Sequence, residues 1–361
     1  MPDSSDQSGG ASYKSEGPNA RLTVSISLKR KIGKEKLKEK YGVTRYDLAD
    51  GYAMPESLRP LVPKDTPEYV DRGHNYVERI MRSLYHFKQC ALIGPSGTGK
   101  THVVYLVSEI AGLPLWEINC GLQTSVYDMF GRFVGLGREN WVDGQIVSWC
   151  RYGGILYLDE ANMMKQDVAT RLNPLLDTRG HMVLTEKDNE VIPRHPQGYV
   201  VISMNPYSAE FAGTKPLNAA FRRRMSVWID FDYLSVGGTI AKDEVEMVSR
   251  RSHAPLDVSE RIVRVGAEIR RRYKAGDLPY GPSVGDLVNW ATLVADNMDP
   301  ALAAEETIVS LTSDDVEVQT TVRRIVRMIL GGGRGAARWG YWTTPGTPLP
   351  ASPRRAASRS R

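Results

Sequence analysis

The run Gly94-Pro95-Ser96-Gly97-Thr98-Gly99-Lys100-Thr101 sets four residues between Gly94 and Gly99, then a lysine and a hydroxyl. Each residue type has a task that phosphate chemistry requires. Glycines let the backbone curl until successive N–H groups point inward at phosphate oxygens. A helix starting near Gly99 adds the positive end of its dipole at the same place. Lys100 brings a compact cation to the β- and γ-phosphates of a nucleotide, and the Thr101 hydroxyl is a ligand for Mg2+. His102, next in that turn, is grouped with Gly94 to Thr101 as an expected nucleotide contact. The plainer explanation is a glycine-rich turn. The apolar Cys90-Ala91-Leu92-Ile93 before the loop and the helical pattern after it favour a phosphate site.

The acids come about sixty residues later, in Gly154-Ile155-Leu156-Tyr157-Leu158-Asp159-Glu160, a strand-like run that ends in adjacent carboxylates. Asp159, at the strand's C-terminal edge, is expected to hold Mg2+ through its water shell. Glu160 is expected to polarise an attacking water as general base. A third apolar run, 199–204, ends at Asn205-Pro206, and the Asn205 amide is suited to bond a γ-phosphate and place the water beside Glu160. Taken alone, Asn-Pro is an ordinary turn signal. In order after the other two motifs, it belongs with them, and the set implies ATP hydrolysis with Mg2+.

These residues can meet only if short strands bring their ends together. The apolar runs 90–93, 113–119, 155–158, 200–204 and 227–231 suit buried parallel strands, and helical patterns separate several of them. The alternation predicts an α/β fold, a three-layer αβα sandwich with a parallel sheet, and with the loop Gly94–Thr101 it resembles the P-loop NTPase fold. From about Gly237 strand signals stop. Helical spacing over 258–273, 284–295, 301–311 and 316–330 predicts a small all-helical domain behind the core. The expected divisions are a disordered tail at 1–20, an N-terminal extension at 21–63 with a strand at 22–28, the α/β core at 64–236, the helical domain at 237–330, and a disordered basic tail at 331–361.

The chain has 361 residues, 41% hydrophobic and 25% charged, in the range of soluble globular proteins. No apolar run has the length of a membrane span, and the start lacks the apolar stretch of a secretory signal. Cys90, Cys120 and Cys150 stand about thirty residues apart, which suits buried reduced thiols better than disulfides or a metal cluster. The six histidines also lack metal-ligand spacing. A cytoplasmic location follows as the expectation. The net charge of +5 comes from the end of the chain, since residues 332–361 hold six arginines and no acid. A second basic run, 29–40, carries seven Lys or Arg. Nucleic-acid binding through these runs is an alternative, but solvated extensions are the favoured reading, because neither run interleaves aromatic residues with its cations.

Gly94–Thr101, Asp159-Glu160, Asn205 and the arginines Arg222 to Arg224, in that order, resemble the AAA+ ATPases. The segments 130–144 and 217–225 narrow the resemblance to the MoxR clade, of the CbbQ/NorQ type, over roughly residues 64–330. Segment 189–196 is similar to CobS, the related cobalt-chelatase subunit. The resemblance implies a homo-hexameric ring with ATP between subunits and an all-helical AAA+ lid. Arg224 then matches the trans-acting arginine finger, with Arg222 the second candidate. It also implies a hairpin at 181–191 and an insert at 130–149 that line the pore or face a client in relatives. The expected activity is remodelling or activation of a partner protein or metalloenzyme, with a von Willebrand A domain subunit. A chelatase motor is the alternative, and a nucleic-acid motor is less favoured. In one place the chain departs from its relatives. Where they carry an arginine at the start of a lid helix, this chain has Ser283-Val284-Gly285-Asp286, leaving Arg270, Arg271 or Arg272 as substitutes.

Overall fold

The computed structural model describes residues 33–331 except 68, 71–72, 122–123, 136–139 and 207–216. The expected tail at 1–20, the strand at 22–28 and the basic segment from 332 onward lie outside the described residues.

Five strands form one parallel sheet: β1 (Gln89–Ile93), β2 (Leu115–Asn119), β3 (Gly154–Asp159), β4 (Gly198–Met204) and β5 (Trp228–Asp230). Their order across the sheet is β2-β3-β4-β1-β5. The strands read as unbroken apolar runs because both sheet faces are covered. Alternation then sorts the side chains. Cys90, Leu92, Ile155, Tyr157, Tyr199 and Val201 enter one core with the helices Tyr76–Phe87 and Lys100–Ala111. Ala91, Leu156, Leu158, Val200 and Ile202 enter the other, with Gln145–Tyr152 and Gln166–Leu176. These layers make the αβα sandwich that the sequence predicts.

Two antiparallel hairpins are set into this frame. One pairs Gly131–Phe133 with Trp141–Asp143, and the other pairs His181–Leu184 with Glu190–Pro193. Arg151 joins them, its Nε donating to Asp143 Oδ2 at 2.8 Å and its Nη2 to Glu190 Oε1 at 2.7 Å. Beyond the sheet, helices Lys242–Ser252, Leu256–Ala275, Val284–Ala295 and Val316–Gly331 enclose a third core around Trp290, Ile262 and Leu287. No helix among the described residues is long and apolar enough to cross a membrane.

The second basic run is corrected in part. Lys34–Lys40 is a helix, Leu37 packs against the sheet's first core, and Lys34 Nζ donates to Ala111 O at 2.9 Å. A cation at the exposed carbonyls of a helix end is favoured there, so this stretch is docked and not simply solvated. Val43, Tyr46 and Leu48 that follow are buried in the same core.

Candidate functional site: a phosphate-loop cavity at the sheet edge

β1, β4 and β3 are neighbours and run parallel, so their C-terminal ends lie side by side. Ile93 pairs with Met204, and Leu158 pairs with Ile202. The residues that follow each strand therefore gather at one edge, where ligands of open α/β sheets bind. There the chain forms a cavity of about 330 Å³, lined by Ser96, Gly97 and the turn from Gly99 to His102, by Asp159 and Glu160, and by Asn205. That volume lies in the range of small-molecule sites, roughly 300–1,000 Å³.

Gly97 and Gly99 adopt φ of 73° and 89°, conformations open to glycine. A Cβ on Gly97 would lie 2.2 Å from Ser283 Cβ, so only glycine lets the helical domain approach the loop this closely. Gly94, Pro95 and Thr98 shape the loop from behind: Thr98 Oγ1 donates to Pro95 O at 2.9 Å, and Lys100 Nζ donates to Gly94 O and Pro95 O at 2.7 and 2.8 Å. Lys100 also donates to Asn205 Oδ1 at 3.1 Å, which links the first and third motifs directly. Burial lowers the Lys100 pKa to about 8, against the pull of Asp159 and Glu160. His102 faces the cavity and donates from Nε2 to Pro67 O at 2.7 Å.

Thr101 Oγ1 lies 3.2 Å from Asp159 Oδ2. A hydroxyl and a carboxylate so placed are hard oxygen donors, and they fit a Mg2+ ion that completes its shell with water and phosphate. Glu160 follows with φ of 53°, a left-handed conformation uncommon outside glycine, and its side chain is exposed at the cavity.

Two participants escaped the sequence reading. The Tyr157 hydroxyl stands 3.1 Å from Thr101 Oγ1 and donates to Ser203 Oγ at 3.0 Å, and Ser203 donates onward to Asp159 Oδ1. Tyr157 and Ser203 are fully buried, and burial raises the Tyr157 pKa well above its usual value. Period-two spacing was the available signal: Tyr157 shares a strand face with Asp159, as Ser203 does with Asn205.

Arg222, Arg223 and Arg224 do not line this cavity. Arg222 lies over the Trp228 ring at 4.3 Å. Arg224 Nη1 donates to Ala220 O at 2.8 Å, and its Nε is 3.5 Å from Asp177 Oδ2. At the position where the resemblance implies a lid arginine, Ser283 and Gly285 line the cavity, and none of Arg270, Arg271 and Arg272 does. Arg270 is fully buried, donating to Pro282 O, Ser235 O and Glu244 Oε1 at 2.7, 3.1 and 2.8 Å. Arg271 and Arg272 pair with Glu268. The lid reaches the phosphate loop through Tyr233 instead, whose hydroxyl bridges Ser96 O at 3.3 Å and Gly281 O at 3.0 Å.

Residues 89–225 match the AAA domain of the dynein-related subfamily, and residues 244–329 match the CbbQ/NirQ/NorQ C-terminal domain. The denitrification regulatory protein NirQ of Pseudomonas aeruginosa is 31% identical over 72% of this chain and 96% of its own. Protein NorQ of Paracoccus denitrificans is 32% identical over 74% and 95%, and protein CbbQ of Hydrogenophilus thermoluteolus 31% over 71% and 95%.

Proposed function

Since the chain belongs to the CbbQ/NirQ/NorQ family of AAA+ ATPases, we propose that it hydrolyses ATP and uses the cycle to remodel or activate a partner protein. The observation that carries this reading is the convergence of Lys100, Thr101, Asp159, Glu160 and Asn205 on one cavity. Lys100 binds the β- and γ-phosphates, exchanging its present carbonyl partners for phosphate oxygens. Thr101 and Asp159 hold Mg2+, which when bound neutralises charge on the phosphates. Glu160 takes the proton of the attacking water, and Asn205 positions that water against the γ-phosphate.

The arginine contribution comes from a neighbouring subunit of a homo-hexameric ring, with Arg224 the first candidate and Arg222 the second. A separation of both from this chain's own cavity is what a trans-acting role requires. The name of NirQ, a regulatory protein, supports an activator of other enzymes over a chelatase motor, although both would use the same site. A von Willebrand A domain subunit and a metalloenzyme client complete the proposal, and the cytoplasm is its location.

Glu160→Gln tests the reading. It keeps the shape of the side chain and removes the base, so ATP binding should persist while turnover falls by about 10²–10⁴-fold. Phosphate release and nucleotide binding, measured on one preparation, separate these quantities. Unchanged turnover would remove Glu160 from its role.

A further inference from the structure

We infer that Tyr157 and Ser203 act as positioning residues for the divalent cation, through a one-way relay of hydroxyl protons that leaves Thr101 and Asp159 ready to bind it. The inference rests on the proposed Mg2+ site and concerns how that site is prepared.

Counting protons along the chain gives its direction. The Asp159 carboxylate only accepts, and it takes the Ser203 proton at Oδ1. Oδ1 also accepts from the Glu160 backbone N–H at 3.0 Å, so Asp159 presents Oδ2 to Thr101. Ser203 Oγ, having given its proton away, receives the Tyr157 proton at 3.0 Å. The Tyr157 oxygen is then an acceptor toward Thr101, 3.1 Å away.

Thr101 thus has two acceptors, Tyr157 and Asp159 Oδ2, and no donor among these partners. Its proton is directed into the protein and its lone pairs remain for a cation. The Tyr157 oxygen has a further effect. By offering the Thr101 proton a second acceptor, it lets Asp159 Oδ2, which that proton also reaches, turn to Mg2+. Tyr157 and Ser203 are buried, so water is a poor replacement for a lost partner.

Tyr157→Phe keeps the ring and deletes the relay's middle oxygen. Ser203→Ala deletes the link to Oδ1 and lets Tyr157 turn its proton onto Thr101. Both should raise the Mg2+ concentration for half-maximal binding of a fluorescent, non-hydrolysable ATP analogue by about three- to tenfold. Affinity for the same analogue in EDTA should stay within about twofold, because the relay does not touch phosphate. The double variant should be no worse than the poorer single one, the mark of residues acting in series.

Unshifted Mg2+ midpoints in folded Tyr157→Phe, or equal weakening with and without Mg2+, would overturn the relay. If Tyr157→Phe does not fold, Ser203→Ala alone carries the same expectation and the same overturning result. Wild-type protein that binds the analogue without regard to Mg2+ would instead remove the underlying metal site.

Discussion

Three arginines that adjoin in sequence occupy three environments, and this bears on which of them serves a neighbouring subunit. Arg222 rests on the Trp228 ring, and Arg223 is exposed. Arg224 is half-buried, tied to its own helix at Ala220 and drawn to Asp177, whose carboxyl Arg179 holds well below the usual range. The bond to Ala220 holds one end of the guanidinium, while Nε meets Asp177 at 3.5 Å without a hydrogen bond, so a buried donor is left for a better acceptor. Arg224→Ala should bind ATP normally and lose about 10³-fold in turnover. Equal mixing with Glu160→Gln subunits should then restore activity, since about a quarter of the interfaces in a head-to-tail ring join an intact Glu160 to an intact Arg224. No recovery on mixing would place the arginine in its own subunit's site, and full activity of Arg224→Ala alone would move the role to Arg222. Motif residues were legible at this scale because glycine, lysine and paired acids are costly to place by chance. Tyr157 and Ser203 were not, because a hydroxyl inside an apolar run reads as core until the neighbouring strand is known.

At the scale of elements, boundaries are legible where local chemistry sets them. The spacing predicts helix Val284–Ala295 to the residue, and its start is fixed by a capping box between Ser283 and Asp286. Helix Lys242–Ser252 was not singled out, because its buried face includes Glu244 and Ser252 beside Val245 and Val248. Glu244 is buried because Arg270 meets it from helix Leu256–Ala275, with both side chains wholly enclosed. Periodicity could offer Arg270 only as a charge near the lid. It is instead the clamp beneath Tyr233, 4.6 Å from that ring, and it holds Pro282 just before Ser283 and Gly285 enter the cavity. Arg270→Met should cost roughly 3–5 kcal/mol, because it strands a buried carboxylate, while Arg270→Met with Glu244→Leu should recover much of that loss. Urea unfolding of both variants measures the difference. Equal destabilisation by the single and double changes would show that packing matters here and the charge pair does not.

Across the whole molecule, the three cysteines test whether the layers close as one body. Cys90 lies in β1 and packs into the first core, whereas Cys120 and Cys150 pack into the second, so the sheet stands between the two sets. All three are free, and burial pushes each thiol up to about 12, with Asp159 and Glu160 adding to the effect at Cys120. A thiol reacts as its thiolate, and in an unfolded chain these groups would ionise near pH 8.5. At pH 8 the native protein should therefore exclude a thiol-specific chromogenic reagent and release three equivalents of signal only in denaturant. The docked stretch around Val43, Tyr46 and Leu48 gives the experiment a second reading, because it covers the core that holds Cys90. Removing the chain through Gly51 should open that core first, so Cys90 would react before Cys120 and Cys150. Simultaneous reaction of all three would mean that the extension stabilises both layers together. Fast reaction in the intact native chain would contradict the burial on which this packing depends.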